Sequence, residues 1–246
     1  MLTVWPAARV IVVSPNVHMP LRNSVPVRIT GAIACAIALA SCARRPTLPP
    51  MTEADSIRII QDNLAHRDTV DQFFRTDPGS PFLRDSSITY HGIRWFPVNP
   101  RFCGHSVLHR FARTDTVIVM GTKGEQRRQL LYGYFEFPVP DTNGNALMLK
   151  LNVYKFTPYD GQRYLLYRNY LSVWFTDLTT GYETYPVGRY VDVGMEGPDP
   201  AHIYTIDLNA AYNPYCAYSG LYSCAVPRSE DHLNIALRVG EMKYHE

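Results

Sequence analysis

Apolar residues at Ile57, Ile60, Leu64, Phe73 and Phe74 recur near a 3.6-residue period and predict an amphipathic helix facing a core. Thr52, followed three residues later by Asp55, offers a weak capping box at its start, and Asp77-Pro78-Gly79 stops it. Beyond that point the period changes to two. In Asn145 to Phe156, Leu147, Leu149, Leu151 and Val153 share one face while Lys150 and Asn152 share the other, the alternation of a half-buried strand. Similar runs occur at 106–112, 115–120, 129–139, 171–176, 202–208 and 233–239, with turn signals GTKG (121–124) and DTNGN (141–145) between neighbours. The pattern predicts a mainly β domain, an antiparallel β-sandwich or barrel-like fold preceded by one N-terminal α-helix.

Upstream of the helix the pattern differs. Ile29 to Ala40 is an uncharged, mostly apolar run of 12 residues, too short for a bilayer core that takes about 20 helical residues. It has the length of an export-signal core, flanked by Arg22 and Arg28 and followed by the small residues Ala40 and Ser41. Leu39-Ala40-Ser41-Cys42 resembles the lipobox of bacterial lipoproteins, which implies cleavage before Cys42 and acylation of its sulfur and new amino terminus. Met19 gives such a signal a better length than Met1, so residues 1–18 are read as preceding the true start. The organisation expected is an export signal (1–41), a proline-rich tether carrying the lipid (42–51) and one globular domain (52–246). Ala43, in place of an aspartate after the cysteine, points to the outer membrane facing the periplasm, and the lipid bilayer is the expected partner.

Charge then narrows the partners. The chain has 24 Lys and Arg against 22 Asp and Glu, and the first 41 residues contain three of the arginines and no acid, so the remainder has net charge −1. A nearly neutral body lacks the basic stripe that nucleic acid requires. The sequence contains no G-x-S-x-G elbow, phosphate loop, dinucleotide fingerprint or H-E-x-x-H pair. His105 and His109 read as ordinary strand histidines, so neither a metal nor a cofactor is expected. Cys216 and Cys224 can close a small disulfide loop in an oxidising compartment, worth about 2.6 kcal/mol in a chain-entropy model, stand as buried thiols, or act as a metal-binding or reactive thiol, which the lack of C-x-x-C spacing disfavours. Of 17 tyrosines, 15 fall between Tyr132 and Tyr222. Their hydroxyls need partners, which leaves two readings: a structural hydrogen-bond network, or a tyrosine-lined pocket for a polar ligand.

The segments FTDLTTGYETYPVGRYVD (175–192), IDLNAAYNPYCAYSGLYSCAVP (206–227) and NIALRVGE (234–241) resemble the domain-of-unknown-function family 1684, a bacterial and archaeal family with many predicted lipoproteins. Weaker similarity reaches back through HGIRWFPVN (91–99) and Ser80 to Phe82. The resemblance implies no activity, but it directs attention to Glu183, Arg189, Asp207, Asn209, Tyr212 and Asn213 as ligand-binding candidates. Strand alternation turns Asp207 away from Tyr204, Ile206 and Leu208, and Gly188 permits a tight backbone before Arg189. The leading expectation is a lipid-anchored envelope protein that binds a small polar ligand or envelope component. One alternative is a hydrolase-like envelope enzyme using Asp207 or Glu183 as base with Arg189 on a substrate anion. The other is a structural interaction protein. If Asp207 and Arg189 belong to a site, replacing either is expected to cost little stability.

Overall fold

In a computed structural model of the chain, the structure describes residues 46–245. The export signal, its start at Met19 and the lipobox cysteine Cys42 lie outside the described residues. Among those residues no helix is long and apolar enough to cross a membrane.

Helix α1 (Glu53–Thr76) starts where its cap predicts: Thr52 Oγ1 accepts from the Asp55 backbone N–H at 3.0 Å and donates to the Asp55 carboxylate at 2.7 Å. Its inward face is the expected one only at its end, where Phe74 is buried and Phe73 half-buried. Ile57, Ile60 and Leu64 are exposed, whereas Asn63, Arg67, Val70 and Phe74, also at helical spacing, face the body. Polar anchoring explains the rotation. Asn63 Nδ2 donates to Asp207 at 2.6 Å, and the Arg67 guanidinium lies 4.8 Å from the centre of the Trp95 ring and donates to the Phe96 carbonyl.

A short helix, α2 (Pro81–Arg84), leads to β1 (Cys103–Val107), β2 (His109–Met120), β3 (Gln126–Pro140), β4 (Ala146–Phe156), α3 (Gln162–Tyr167), β5 (Tyr170–Asp177), β6 (Arg189–Met195), β7 (Ile203–Asp207) and β8 (His232–Leu233). β2 to β6 form one antiparallel sheet in sequence order, β8 adds to β5 in parallel, and β1 pairs antiparallel with β7 as a separate ribbon. The larger sheet has β2 and β6 at opposite edges, so it does not close. The fold is therefore sandwich-like, and the barrel alternative does not apply.

Alternation does its expected work in β4 and β7. Leu149, Leu151 and Val153 are buried against Tyr204, Ile206 and Leu208 in one core, with the Phe135 and Tyr204 rings 5.1 Å apart across the two sheets. Leu147, at the strand's beginning, is exposed. A second small core on the other face of the sheet contains Tyr154, Trp174, Val119 and Ala225.

The run 233–239 departs from prediction in an informative way. Leu233, Ile235, Leu237 and Val239 are all buried, as period two requires, yet only His232 and Leu233 pair as a strand. Downstream, the carbonyls of Leu237, Val239 and Glu241 accept from the Arg189 guanidinium in place of a neighbouring strand. Fork geometry allows one arginine to serve several carbonyls at once.

Candidate functional site

The six residues singled out from sequence fall into four separate environments. Arg189 is 1% exposed; besides the three carbonyls it meets Asp177 at 2.8 Å, and burial pushes its pKa down against the pull of that carboxylate. Asp177 is held in turn by the Thr179 N–H at 2.6 Å and the Thr179 hydroxyl. This buried ion pair joins the β5–β6 region to the C-terminal segment. Gly188, at φ +111°, makes the approach possible, since a Cβ there would meet the Phe175 carbonyl oxygen at 2.5 Å.

Asp207 belongs to a different cluster. Its carboxylate accepts from Asn63 Nδ2, the Asn209 N–H at 2.9 Å and Asn209 Nδ2 at 2.8 Å, and Asn209 exchanges bonds with the Asn99 backbone. These contacts fasten α1 and the Asn99 loop to the end of β7. Glu183 lies at the surface, paired with Arg238 at 2.8 Å. The arrangement does not assemble a site from Asp207, Glu183 and Arg189: Asp207 is engaged by amides, Glu183 by a surface arginine, and Arg189 by Asp177 and backbone. Arg189 therefore has no donor left facing solvent with which to meet a substrate anion.

Tyr212 and Asn213 do lie on a cleft, of about 700 Å³. One wall is the C-terminal half of α1, where His66, Val70, Phe73 and Phe74 follow helical spacing. The opposite wall is β6, through Tyr190 and Asp192, and the 210–224 segment with Tyr212, Tyr215, Tyr218 and Tyr222. Tyr190 and Tyr212 exchange backbone hydrogen bonds at 2.9 and 3.0 Å, which fixes their rings 5.9 Å apart and edge to face. With Cys224, they also border a smaller pocket of about 240 Å³ over Trp174 and Tyr170. The tyrosines divide between hydrogen-bond networks and the cleft wall. Several hydroxyls are tied into bonds, Tyr190 to the Ala225 carbonyl, Tyr170 to Asp192 and Tyr218 to Glu241, while ring surfaces line the cleft.

Glu241 is the residue that sequence reasoning passed over. It follows Gly240, whose φ of +76° brings the chain against the Ala211 carbonyl, and its side chain is 1% exposed. Oε2 accepts from the Asn213 N–H at 2.8 Å and the Tyr218 hydroxyl at 2.5 Å. Burial raises its pKa to about 7, against the lowering influence of Tyr218, Asn213 and Arg189. The signal was its position at the end of the matching segment 234–241, where a buried run ends on a glycine and an acid. His66, at the cleft mouth, is pushed towards its neutral form by burial, opposed by Asp207.

Cys216 and Cys224 stand side by side, with the Cys216 N–H 3.3 Å from Cys224 Sγ, and both are thiols in the structure. The hydrogen bond from Cys224, opposed by burial and aided by Tyr185, pulls Cys216 down to about 6 and pushes Cys224 up. His105, in β1, contacts Thr205, whereas His109, in β2, stacks on Tyr134 at 4.9 Å.

Comparison with known proteins adds a fold relative but no activity. The chain is 25% identical to an uncharacterized protein of Haloarcula marismortui whose solution NMR structure superposes with a TM-score of 0.52, covering 78% of this chain and 97% of that one. No curated protein matches. The model of the family described as protein of unknown function, DUF1684, matches residues 88–242, a span that includes β1 to β8 and both Arg189 and Glu241. The chain belongs to the DUF1684 family.

Proposed function

We propose that this protein is a lipid-anchored component of the bacterial envelope, held in the outer membrane through acylated Cys42, whose aromatic cleft binds a small polar ligand from the periplasm. The observation that carries the binding reading is the cleft itself. A concave site of about 700 Å³ combines five half-buried or buried tyrosines with two carboxylates and an asparagine, the mixture of apolar surface and few polar groups that small-ligand sites use. The anchor rests on the lipobox-like run 39–42 after a short apolar core.

Two experiments test this reading. Cys42→Ser is expected to abolish incorporation of labelled fatty acid and move the protein from the membrane to the soluble fraction. Persistence of both would overturn the anchor. For the cleft, a metabolite screen by thermal shift on the full chain is expected to find a stabilising ligand whose affinity falls at least tenfold in Val70→Trp, which fills the cleft from α1. Tight binding to Val70→Trp would remove the cleft from the proposal.

The raised pKa of Glu241 favours a second reading, an envelope hydrolase in which Glu241 takes the acid–base role first assigned to Asp207 or Glu183. Turnover by the wild-type protein that disappears in Glu241→Gln, with ligand binding retained, would establish that reading over simple binding.

A further inference from the structure

We propose that the ligand of this cleft is a protonated organic amine, a compact ammonium group carried on an apolar body. The inference rests on reading the cleft as a ligand site and specifies what enters it. The one buried polar atom of the wall without a hydrogen-bond partner among the described residues is an acceptor, whereas the Tyr215 and Tyr222 hydroxyls can donate or accept. Asn213 is 1% exposed, its Nδ2 is committed to the Met242 carbonyl at 2.8 Å, and its Oδ1 accepts from no described residue. Both bonds to the Glu241 carboxylate end on Oε2, and both bonds to Asp192 end on Oδ1, leaving one oxygen of each without a hydrogen bond from a described residue. Only Asn213 Oδ1 is a buried unmatched acceptor, which is costly and calls for an N–H donor; Asp192 is exposed and contributes its charge instead.

Charge selects the same partner. The cleft lining contains two carboxylates and no Lys or Arg among the described residues, and its one basic ring, His66, is held towards neutrality by burial. Arg189, behind Glu241, is 1% exposed; its two terminal nitrogens serve Asp177 and three carbonyls and its Nε is buried without a partner, so it presents no donor to the cleft. A carboxylate or phosphate ligand would meet two like charges with no counter-charge, whereas an ammonium meets two opposite ones.

The aromatic lining favours a cation over a neutral polyol. Tyr190 and Tyr218 have their hydroxyls engaged with the Ala225 carbonyl and Glu241, so they offer the ligand ring surface in preference to hydroxyls. Tyr190 with Tyr212, and Tyr215 with Tyr222, meet edge to face at 5.9 and 5.2 Å, which presents ring faces from more than one direction. Ring faces attract cations through their quadrupole, and they also pack against the ligand's hydrocarbon.

The test is calorimetric titration of the full chain at pH 7.5 with benzylamine, phenethylamine and cyclohexylamine, against benzyl alcohol, benzoate and N-acetylglucosamine. At least one amine is expected to bind ten or more times tighter than benzyl alcohol, benzoate and the sugar. Asp192→Asn and Tyr222→Leu, with melting temperatures unchanged within a few degrees, are each expected to weaken that amine at least fivefold. Equal binding of benzylamine and benzyl alcohol would overturn the charge argument, as would binding of none of the three amines. If benzoate or the sugar binds, or the metabolite screen yields a Val70→Trp-sensitive ligand that is not an amine, the cation proposal fails while the ligand site stands. If the screen finds nothing that Val70→Trp blocks, both fail.

Discussion

Replacing Arg189 with glutamine is expected to destabilise the protein by about 3–5 kcal/mol, the range for breaking a buried ion pair from one side. For a domain of this size that lowers the melting temperature by roughly 6–20 °C. The loss has two parts. Asp177, itself 2% exposed, keeps its bonds to Thr179 but loses its counter-charge. The carbonyls of Leu237, Val239 and Glu241 lose donors in a segment whose strand-like pairing past Leu233 is a single bridge from Glu241 to Trp95 among the described residues. Glutamine is too short and has too few N–H groups to serve all four acceptors. Amide exchange should localise the damage, rising most in residues 234–241. Thermal and urea unfolding decide the matter: a melting point within 2 °C of wild type would mean that Arg189 is dispensable to the fold. Such a result would restore it as a residue kept for a ligand, which is how its sequence context reads.

That reversal shows what the sequence can and cannot carry. The Thr52 cap and the faces of β4 and β7 were legible because each depends on residues within one turn or one strand. The face of α1 was not, because Asn63 and Arg67 find their partners at Asp207, Trp95 and Phe96, and a hydrophobicity pattern ranks Ile57 and Leu64 above them. Residues 233–239 show the boundary within a single segment. Alternation gives the right buried positions, yet strand pairing depends on what lies alongside, and here that is the Arg189 side chain. The six candidate site residues were drawn from polar positions in matching segments, and polarity does not distinguish a ligand-facing group from one that satisfies buried backbone. Tyr212 and Asn213 reach the cleft, while Arg189, Asp207 and Asn209 tie elements together and Glu183 pairs at the surface. Tyrosine enrichment pointed to the segment that lines one side of the cleft, without revealing that α1, far away in sequence, supplies the facing wall.

Glu241→Gln is expected to gain stability relative to wild type as pH rises, and the reason lies in its proton. A carboxyl that ionises near 4.5 in the unfolded chain and at about 7 in the folded one favours folding most when protonated. Its contribution is fully present below the unfolded pKa and is lost as pH rises towards the folded pKa, beyond which the folded protein bears the cost of a buried charge. The shift corresponds to about 3 kcal/mol in total, of which roughly 2–3 kcal/mol is lost between pH 5 and pH 8. Glutamine retains an acceptor for the Tyr218 hydroxyl and the Asn213 N–H but has no proton to lose. Measured by urea unfolding, its stability relative to wild type should therefore climb by about 2–3 kcal/mol from pH 5 to pH 8. Comparing the two proteins at each pH cancels the opposing titration of His66, which loses stability as pH falls because burial favours its neutral ring. A difference that stays constant across this range would mean that Glu241 ionises normally, and with that the acid–base reading of the cleft would go. If the difference climbs as expected, wild-type protein carries at neutral pH an ionisation cost that its amide variant does not. A residue kept only for packing gains nothing from that cost. A carboxylate waiting for a cation does: an ammonium beside Oε1 supplies the missing counter-charge, so Glu241→Gln should gain stability on wild type as pH rises and be the weaker amine binder.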